Sequence, residues 1–301
     1  MSRIYEALQK AAFAQKAGQK TTAEPVAEPV AVSAIEEPPP AKADVVLENI
    51  AQHSWNPSIA SFPTLAESGG GVEQFRRLRS RIYQAHYEAP MKTILIASGM
   101  PSEGKSFVAA NLAMSLARNT VNNILLIDGD LRRPTLHNLL GTTNTPGLSE
   151  YLAGEAELID IMQRDSNLRT TENAGVGSVS NLTFIPSGKC GDHSSELVAN
   201  HRIEELIAEV SPHFNWIIID SAPVLAVTDS VELARATDAV LLVARGASTP
   251  YDVAQRAQAT FSGRRILGFV LNDAKNIPRR GSYYSSYYYY GGKEAPAEPK
   301  K

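Results

Sequence analysis

The octapeptide GMPSEGKS, residues 99–106, joins two glycines five positions apart to a lysine and a hydroxyl. It fits the pattern G-x-x-x-x-G-K-[ST], whose chemistry is the holding of a polyphosphate. Gly99 and Gly104 let the backbone wrap an anion, and amide N–H groups meet its charge. Lys105 is expected to reach the β- and γ-phosphates, and the Ser106 hydroxyl to ligate magnesium. The expected contact set is Gly99, Pro101, Ser102, Glu103, Gly104, Lys105, Ser106 and Phe107. A chance glycine-rich turn would not need its flanks, but here the apolar run TILIAS precedes the loop and the helical stretch FVAANLAMSLARN follows it. Such a loop needs acids for its metal. NILLIDGD ends in Asp128 and Asp130, with Arg132 and Arg133 just after, and WIIID ends in Asp220. One aspartate after a strand often caps a turn. Three at the ends of apolar strands stand where open α/β sheets bind ligands.

The elements that must position these groups are legible as continuous apolar runs: TILIAS, NILLIDGD, LTFIPS, WIIIDS, AVLLVA and ILGFVLN. Runs of this kind, separated by amphipathic stretches, predict an α/β fold with a mainly parallel central sheet and helices on both faces. The predicted domain covers residues 71–277. Residues 1–17 read as a short helix, with Ile4, Leu8 and Ala11 or Ala12 at helical spacing. Residues 18–70 carry AEPV twice and a triple proline, and their Ala/Glu/Pro-rich composition predicts a disordered linker. From Pro278 the pattern stops, and a flexible tail is expected over 278–301.

Composition excludes several classes. The net charge of -3 gives no general attraction to nucleic acid or anionic lipid. The single cysteine, Cys190, permits no internal disulfide and fits a reducing compartment. No apolar run reaches the length of a membrane span, and the first residues lack a signal-peptide core, so a cytoplasmic protein is expected. The histidines show no metal-binding spacing. What remains unusual is GSYYSSYYYYGG, residues 281–292, which places six of the chain's eleven tyrosines at Tyr283, Tyr284, Tyr287, Tyr288, Tyr289 and Tyr290. Tyrosine normally buries its ring and bonds its hydroxyl. A glycine-flanked string has no such use.

These motifs together resemble the bacterial tyrosine kinases of polysaccharide biosynthesis, cytoplasmic autokinases of the P-loop type. The resemblance spans roughly residues 73–290. It rests on the phosphate loop, on ILLIDGDLRRP as a Walker A′ element, and on WIIIDSAPVLAVTDSVELARATDAVLLVARGAST around Walker B. PGLSEYLAG, LTFIPSG and the tyrosine cluster add to it. It implies ATP and Mg2+ as cofactors, with Ser106, Asp128 and Asp220 around the metal and Lys105, Asp128 and Asp130 catalytic. Asp128 would lie near the attacking tyrosine hydroxyl and ease its deprotonation. The six tail tyrosines would then be the substrate, phosphorylated in trans. Full modification would add roughly -9 to -12 charges, enough to repel tails from an acidic site. The resemblance further implies a homo-oligomeric ring, a membrane activator of polysaccharide chain length or export, a tyrosine phosphatase, and recruitment to the inner face of the plasma membrane. Two segments depart from the family pattern: Ser221 and Ala222 follow Asp220, and PSGKCGDHSSEL replaces a proline-rich loop.

EQFRRLRSRI holds Glu73, Arg76 and Arg79 as E-x-x-R-x-x-R, beside an apolar stripe of Phe75, Leu78, Ile82 and Ala85. On charge alone this is a solvated helix face with local pairs worth a few tenths of a kcal/mol. In the resembled family the motif joins subunits. Two other functions share these motifs. A partitioning or positioning ATPase switch would carry an extra lysine early in the phosphate loop, where Met100 stands, and a basic or amphipathic membrane or DNA grip. A non-catalytic, nucleotide-bound scaffold would use the tyrosines for adhesion.

Overall fold

The apolar runs become strands of one sheet. In the computed structural model, which describes residues 47–57, 60–66, 68–166, 181–189 and 194–274, eight strands form a single sheet. They are β1 (Ala51–His53), β2 (Thr93–Ser98), β3 (Ile124–Asp128), β4 (Gln163–Asp165), β5 (Leu182–Ile185), β6 (Trp216–Asp220), β7 (Ala239–Arg245) and β8 (Ile266–Asn272). Their spatial order is β1-β4-β5-β3-β6-β2-β7-β8. Every pairing is parallel except β4 with β5. β2, β3, β5 and β6 are buried along their whole length, as continuous apolar strands covered on both faces must be. The expected α/β fold with a mainly parallel sheet is therefore the fold observed.

Helices cover both faces. They are α1 (Gly70–Glu88), α2 (Lys105–Ala117), α3 (Leu136–Leu140), α4 (Leu148–Ala153), α5 (Ser194–Val198), α6 (Arg202–Val210), α7 (Asp229–Arg235) and α8 (Tyr251–Thr260). On one face α1 and α2 pack through Phe75, Ile82, Val108, Leu112 and Leu116 against Ile94, Ile96, Leu126 and Ile218. The opposite face buries Leu206, Val210, Leu233, Ala257 and Phe261 against Leu95, Ile127, Ile219 and Leu242. Every residue of α2 from Val108 to Ala117 is buried, because that helix lies between the sheet and α1. The stripe on α1 faces the core as its spacing predicts, with Phe75 and Ile82 buried and Leu78 and Ala85 packed at the margin.

The linker expectation needs correction over its last third. Residues 47–57 and 60–66 are part of the fold: a 3-10 turn at Leu47–Asn49, edge strand β1 beside β4, and a second 3-10 turn at Pro63–Leu65. Ile50, Trp55, Phe62 and Leu65 are buried, and the Trp55 ring meets Phe184 edge-on at 6.2 Å. The backbone N–H of Trp55 donates to Asp165 on β4 at 3.2 Å. Four well-spaced apolar residues supply this anchoring, and they were outweighed by the proline-rich stretch before them. The predicted helix at 1–17, residues 18–46, Cys190 and the tyrosines 283–290 lie outside the described residues.

Candidate active site

The phosphate loop leaves β2 and enters α2 at Lys105. The turn is backbone-demanding: Ser102 has φ 64° and Gly104 has φ 92°, both in the left-handed region. A Cβ on Gly104 would also fall 1.9 Å from the Asn272 amide nitrogen and would displace that side chain from the loop. The loop is braced from within. Glu103 is buried, accepts the Met100 N–H at 2.8 Å and accepts the Thr249 hydroxyl, while its carbonyl accepts the Asn272 side-chain N–H at 3.0 Å.

Beside the loop, β3 and β6 end together, with Asp128 and Asp220 in register. Gly129 follows, where a Cβ would lie 2.6 Å from the Asp220 carbonyl oxygen; the Gly129 N–H instead donates to that oxygen at 3.0 Å. This close approach brings the three acids to one place. Lys105 Nζ lies 2.9 Å from Asp130 Oδ2, 3.8 Å from Asp220 Oδ2 and 3.4 Å from Ser106 Oγ. Asp128 is fully buried and accepts the N–H groups of Asp130 (3.3 Å), Thr135 (3.2 Å) and Leu136 (3.0 Å), the last at the start of α3.

The electrostatics follow from burial. Desolvation pushes the Asp128 carboxyl up to about 8, and the Asp220 charge adds to the rise while the Leu136 amide and Lys105 oppose it. Burial raises Asp220 as well, against the pull of Lys105. At Lys105 burial alone would lower the pKa, but Asp220, Asp130 and Asp128 outweigh it and hold the ammonium charged. Both carboxylate oxygens of Asp220 are buried with no well-formed hydrogen bond, the Ser106 hydroxyl, the Ser221 amide and the Lys105 ammonium lying only nearby. Orphaned acceptors of this kind, beside a serine hydroxyl and a surplus of acids, fit a hard cation with oxygen ligands. Among the described residues no cluster of three or more acids, histidines or cysteines forms a complete cage. Magnesium takes much of its shell from phosphate and water, so no such cage is needed.

A cavity of about 540 Å³ opens here, lined by Pro101, Ser102, Gly104, Lys105, Ser106 and Asp130, with Arg132, Arg133 and Ala222 opposite. The sequence-derived set is thus brought together in large part but not in equal roles. Asp130 lines the cavity, whereas Asp128 and Asp220 lie behind it. Glu103 turns inward as a brace. Gly99 packs toward Val253 and Ala257 of α8, and Phe107 stacks edge-on with Phe75 at 5.8 Å, facing a neighbouring groove instead. Ser221 donates to the Ile96 carbonyl at 2.9 Å, so the departure after Asp220 alters packing and leaves charge alone. Arg132 pairs with buried Asp229 at 2.9 Å. Sequence reasoning missed Thr249 and Asn272. Asn272 ends β8 on the ligand-binding side of the sheet, and that position could have flagged it.

Glu73 and Arg76 sit exposed on α1, paired to each other at 3.0 Å, and Glu73 also meets Arg77 at 3.5 Å. Arg79 turns in and donates to the Ser115 carbonyl near the end of α2.

Comparison with known proteins gives these features a family. Tyrosine-protein kinase YwqD of Bacillus subtilis is 31% identical over 224 residues, covering 74% of this chain and 87% of that protein. The chain belongs to the bacterial tyrosine-protein kinases. Tyrosine-protein kinase wzc of Salmonella typhimurium is 34% identical over 221 residues, which is 73% of this chain but 28% of wzc, so the chain matches little more than a quarter of that relative's length. The solved kinase domain of Escherichia coli ETK superposes with a TM-score of 0.60 at 32% identity, covering 71% of this chain and 79% of that one. No family model matches the chain.

Proposed function

We propose that the protein is an ATP-dependent tyrosine autokinase. It transfers the γ-phosphoryl group of ATP to tyrosine hydroxyls, those of its own C-terminal cluster included, and through this regulates exopolysaccharide or capsule synthesis and export. The observation that carries the reading is the convergence of Lys105, Asp130, Asp220 and Asp128 at a cavity walled by the phosphate loop.

Lys105 would balance charge on the β- and γ-phosphates, and the loop amides would fix the chain of phosphates. Magnesium, when bound, would be held by Ser106 and Asp220 with Asp128 behind, and would supply charge neutralisation. The phenol oxygen forms the new P–O bond as the bond to the β-phosphate oxygen breaks, releasing ADP. The phenolic proton passes to a carboxylate of the site. Asp130 is the acid on the cavity wall, and Asp128, with its affinity for a proton raised by burial, backs it. Phosphoryl transfer has a loose transition state, so this positioning and neutralisation are most of the catalysis.

Trans transfer within a homo-oligomeric ring built on Glu73, Arg76 and Arg79 is part of the proposal, as are a reversing tyrosine phosphatase and a membrane activator that recruits the kinase to the inner face of the plasma membrane. No helix among the described residues is long and apolar enough to cross a membrane. The test incubates the dephosphorylated protein with Mg·ATP and maps phosphotyrosine by mass spectrometry. Label should appear within Tyr283–Tyr290 and vanish in Lys105→Met and Asp128→Asn. A Lys105→Met protein mixed with an active protein lacking residues 281–292 should become labelled. Wild-type labelling in either folded variant would overturn the site assignment, and an unlabelled Lys105→Met partner would overturn transfer in trans.

A further inference from the structure

Away from the phosphate site, a cavity of about 420 Å³ lies between α1 and the C-terminal end of α2. Its wall contains three arginines, Arg76, Arg79 and Arg118, together with Val72, Tyr83 and Ser115, and no carboxylate lines it. The guanidiniums are held in place by Glu73 for Arg76, by the Ser115 carbonyl for Arg79, and by the Ala66 carbonyl at 3.0 Å for Arg118. Each of these bonds uses one nitrogen of a five-donor fork. A helix C-terminus favours a cation, which accounts for one arginine there. It does not account for three around a cavity, since two carbonyl partners leave the positive charge uncancelled and like charges oppose one another. Such a wall is suited to a multiply charged anion bound by forked donors.

The remaining wall narrows the anion. Tyr83 is fixed by the Asn122 amide on its hydroxyl at 3.0 Å and by Trp216 edge-on at 5.7 Å, and Val72 is apolar. Cations beside an apolar and aromatic surface fit a phosphate carried on a ring, and the volume falls within the roughly 300–1,000 Å³ of small-molecule sites. We propose that this pocket binds phosphotyrosine from the C-terminal cluster, a ligand class that rests on the proposed kinase reading. A phosphotyrosine brings about -1.5 to -2 charges to a wall whose Arg79 and Arg118 are bonded to carbonyls that carry no countercharge. Because Arg76 and Arg79 also belong to the proposed subunit contact, an occupied pocket would compete with assembly. Product would then dismantle the ring by capturing its arginines as well as by charge repulsion.

The experiment measures fluorescence anisotropy of the labelled dodecapeptide GSYYSSYYYYGG, phosphorylated at the position of Tyr287 or unphosphorylated. The receptor is the dephosphorylated full chain, with saturating Mg·ADP to occupy the phosphate loop. The phosphopeptide should bind at least about tenfold more tightly than its unphosphorylated form, and Arg76→Gln and Arg118→Gln should each weaken it about tenfold. Phenyl phosphate should compete at lower concentration than inorganic phosphate. Equal binding of the two peptides, equal competition by inorganic phosphate, or wild-type affinity in both variants would overturn the proposal. If Arg118→Gln unfolds for want of its Ala66 bond, Arg76→Gln decides, since Arg76 is half exposed and braces no other element. Phosphopeptide binding without any tail labelling by Mg·ATP would leave the pocket standing and sink the kinase reading; labelling without phosphopeptide binding would do the reverse.

Discussion

Asp128 shows how burying a single carboxyl ties the stability of the fold to pH. Its carboxyl has an ordinary value of 3.8 in the unfolded chain and is raised to about 8 in the fold by burial and by Asp220. A carboxyl so raised supports the fold while protonated, below about pH 4 in both states, and that support is lost as pH rises through about 8. Without nucleotide or magnesium, wild-type stability should therefore fall from pH 5 to pH 9. Asp128→Asn removes the charge and keeps an acceptor for the Thr135 and Leu136 amides, so its melting temperature should decline less over that interval. Scanning calorimetry at several pH values checks this, and a steeper decline in the variant would contradict it. Lys105 and the three acids were legible in sequence because each ends an apolar run or sits in a fixed motif. Their division of labour was not. Whether a carboxylate faces a cavity, as Asp130 does, or backbone amides, as Asp128 does, depends on how the chain turns after β3.

At the level of elements, the meeting of β3 and β6 rests on Gly129. Adding a methyl group there places a carbon 2.6 Å from the Asp220 carbonyl and 2.9 Å from Leu233. Gly129→Ala should force the strand ends apart, lowering stability by about 1–3 kcal/mol as overpacking does, and cutting phosphotransfer more than ATP affinity. Urea unfolding and steady-state kinetics read the two effects, and an unchanged kcat would contradict the role given to this contact. All six strands expected from apolar runs are present: five hold four or more buried residues in a row, and β8, the half-buried edge strand ILGFVLN, still carries an apolar run. β1 and β4 have three residues each, AQH and QRD, with polar side chains at every position but Ala51, so neither alternation nor hydrophobicity could reveal them. Such strands exist because a neighbour offers an edge, and that information is not local. The brace on the phosphate loop escaped for the same reason, since Glu103 is separated from its partners Thr249 and Asn272 by 146 and 169 residues.

For the whole molecule, the folded unit reaches further toward the N-terminus than composition suggests. Removing residues 1–70 strips Ile50, Trp55, Phe62 and Leu65 from the core. At about 1.5–3 kcal/mol for each buried side chain, that loss is comparable to the roughly 5–15 kcal/mol of a whole domain. The shorter protein should lose its near-ultraviolet circular dichroism or fail to stay soluble, and a cooperative transition at the full-length temperature would refute this boundary. The same edge strand has a bearing on synthesis. Ala51 pairs with Gln163, so β1 leaves the ribosome long before the strand that receives it. At about 5–20 residues per second, the partner follows after roughly 6–20 s. Throughout that interval the nascent chain carries Trp55 without the Phe184 ring it packs on, and a chaperone that shields the early chain would raise the yield of this protein by acting on its first hundred residues.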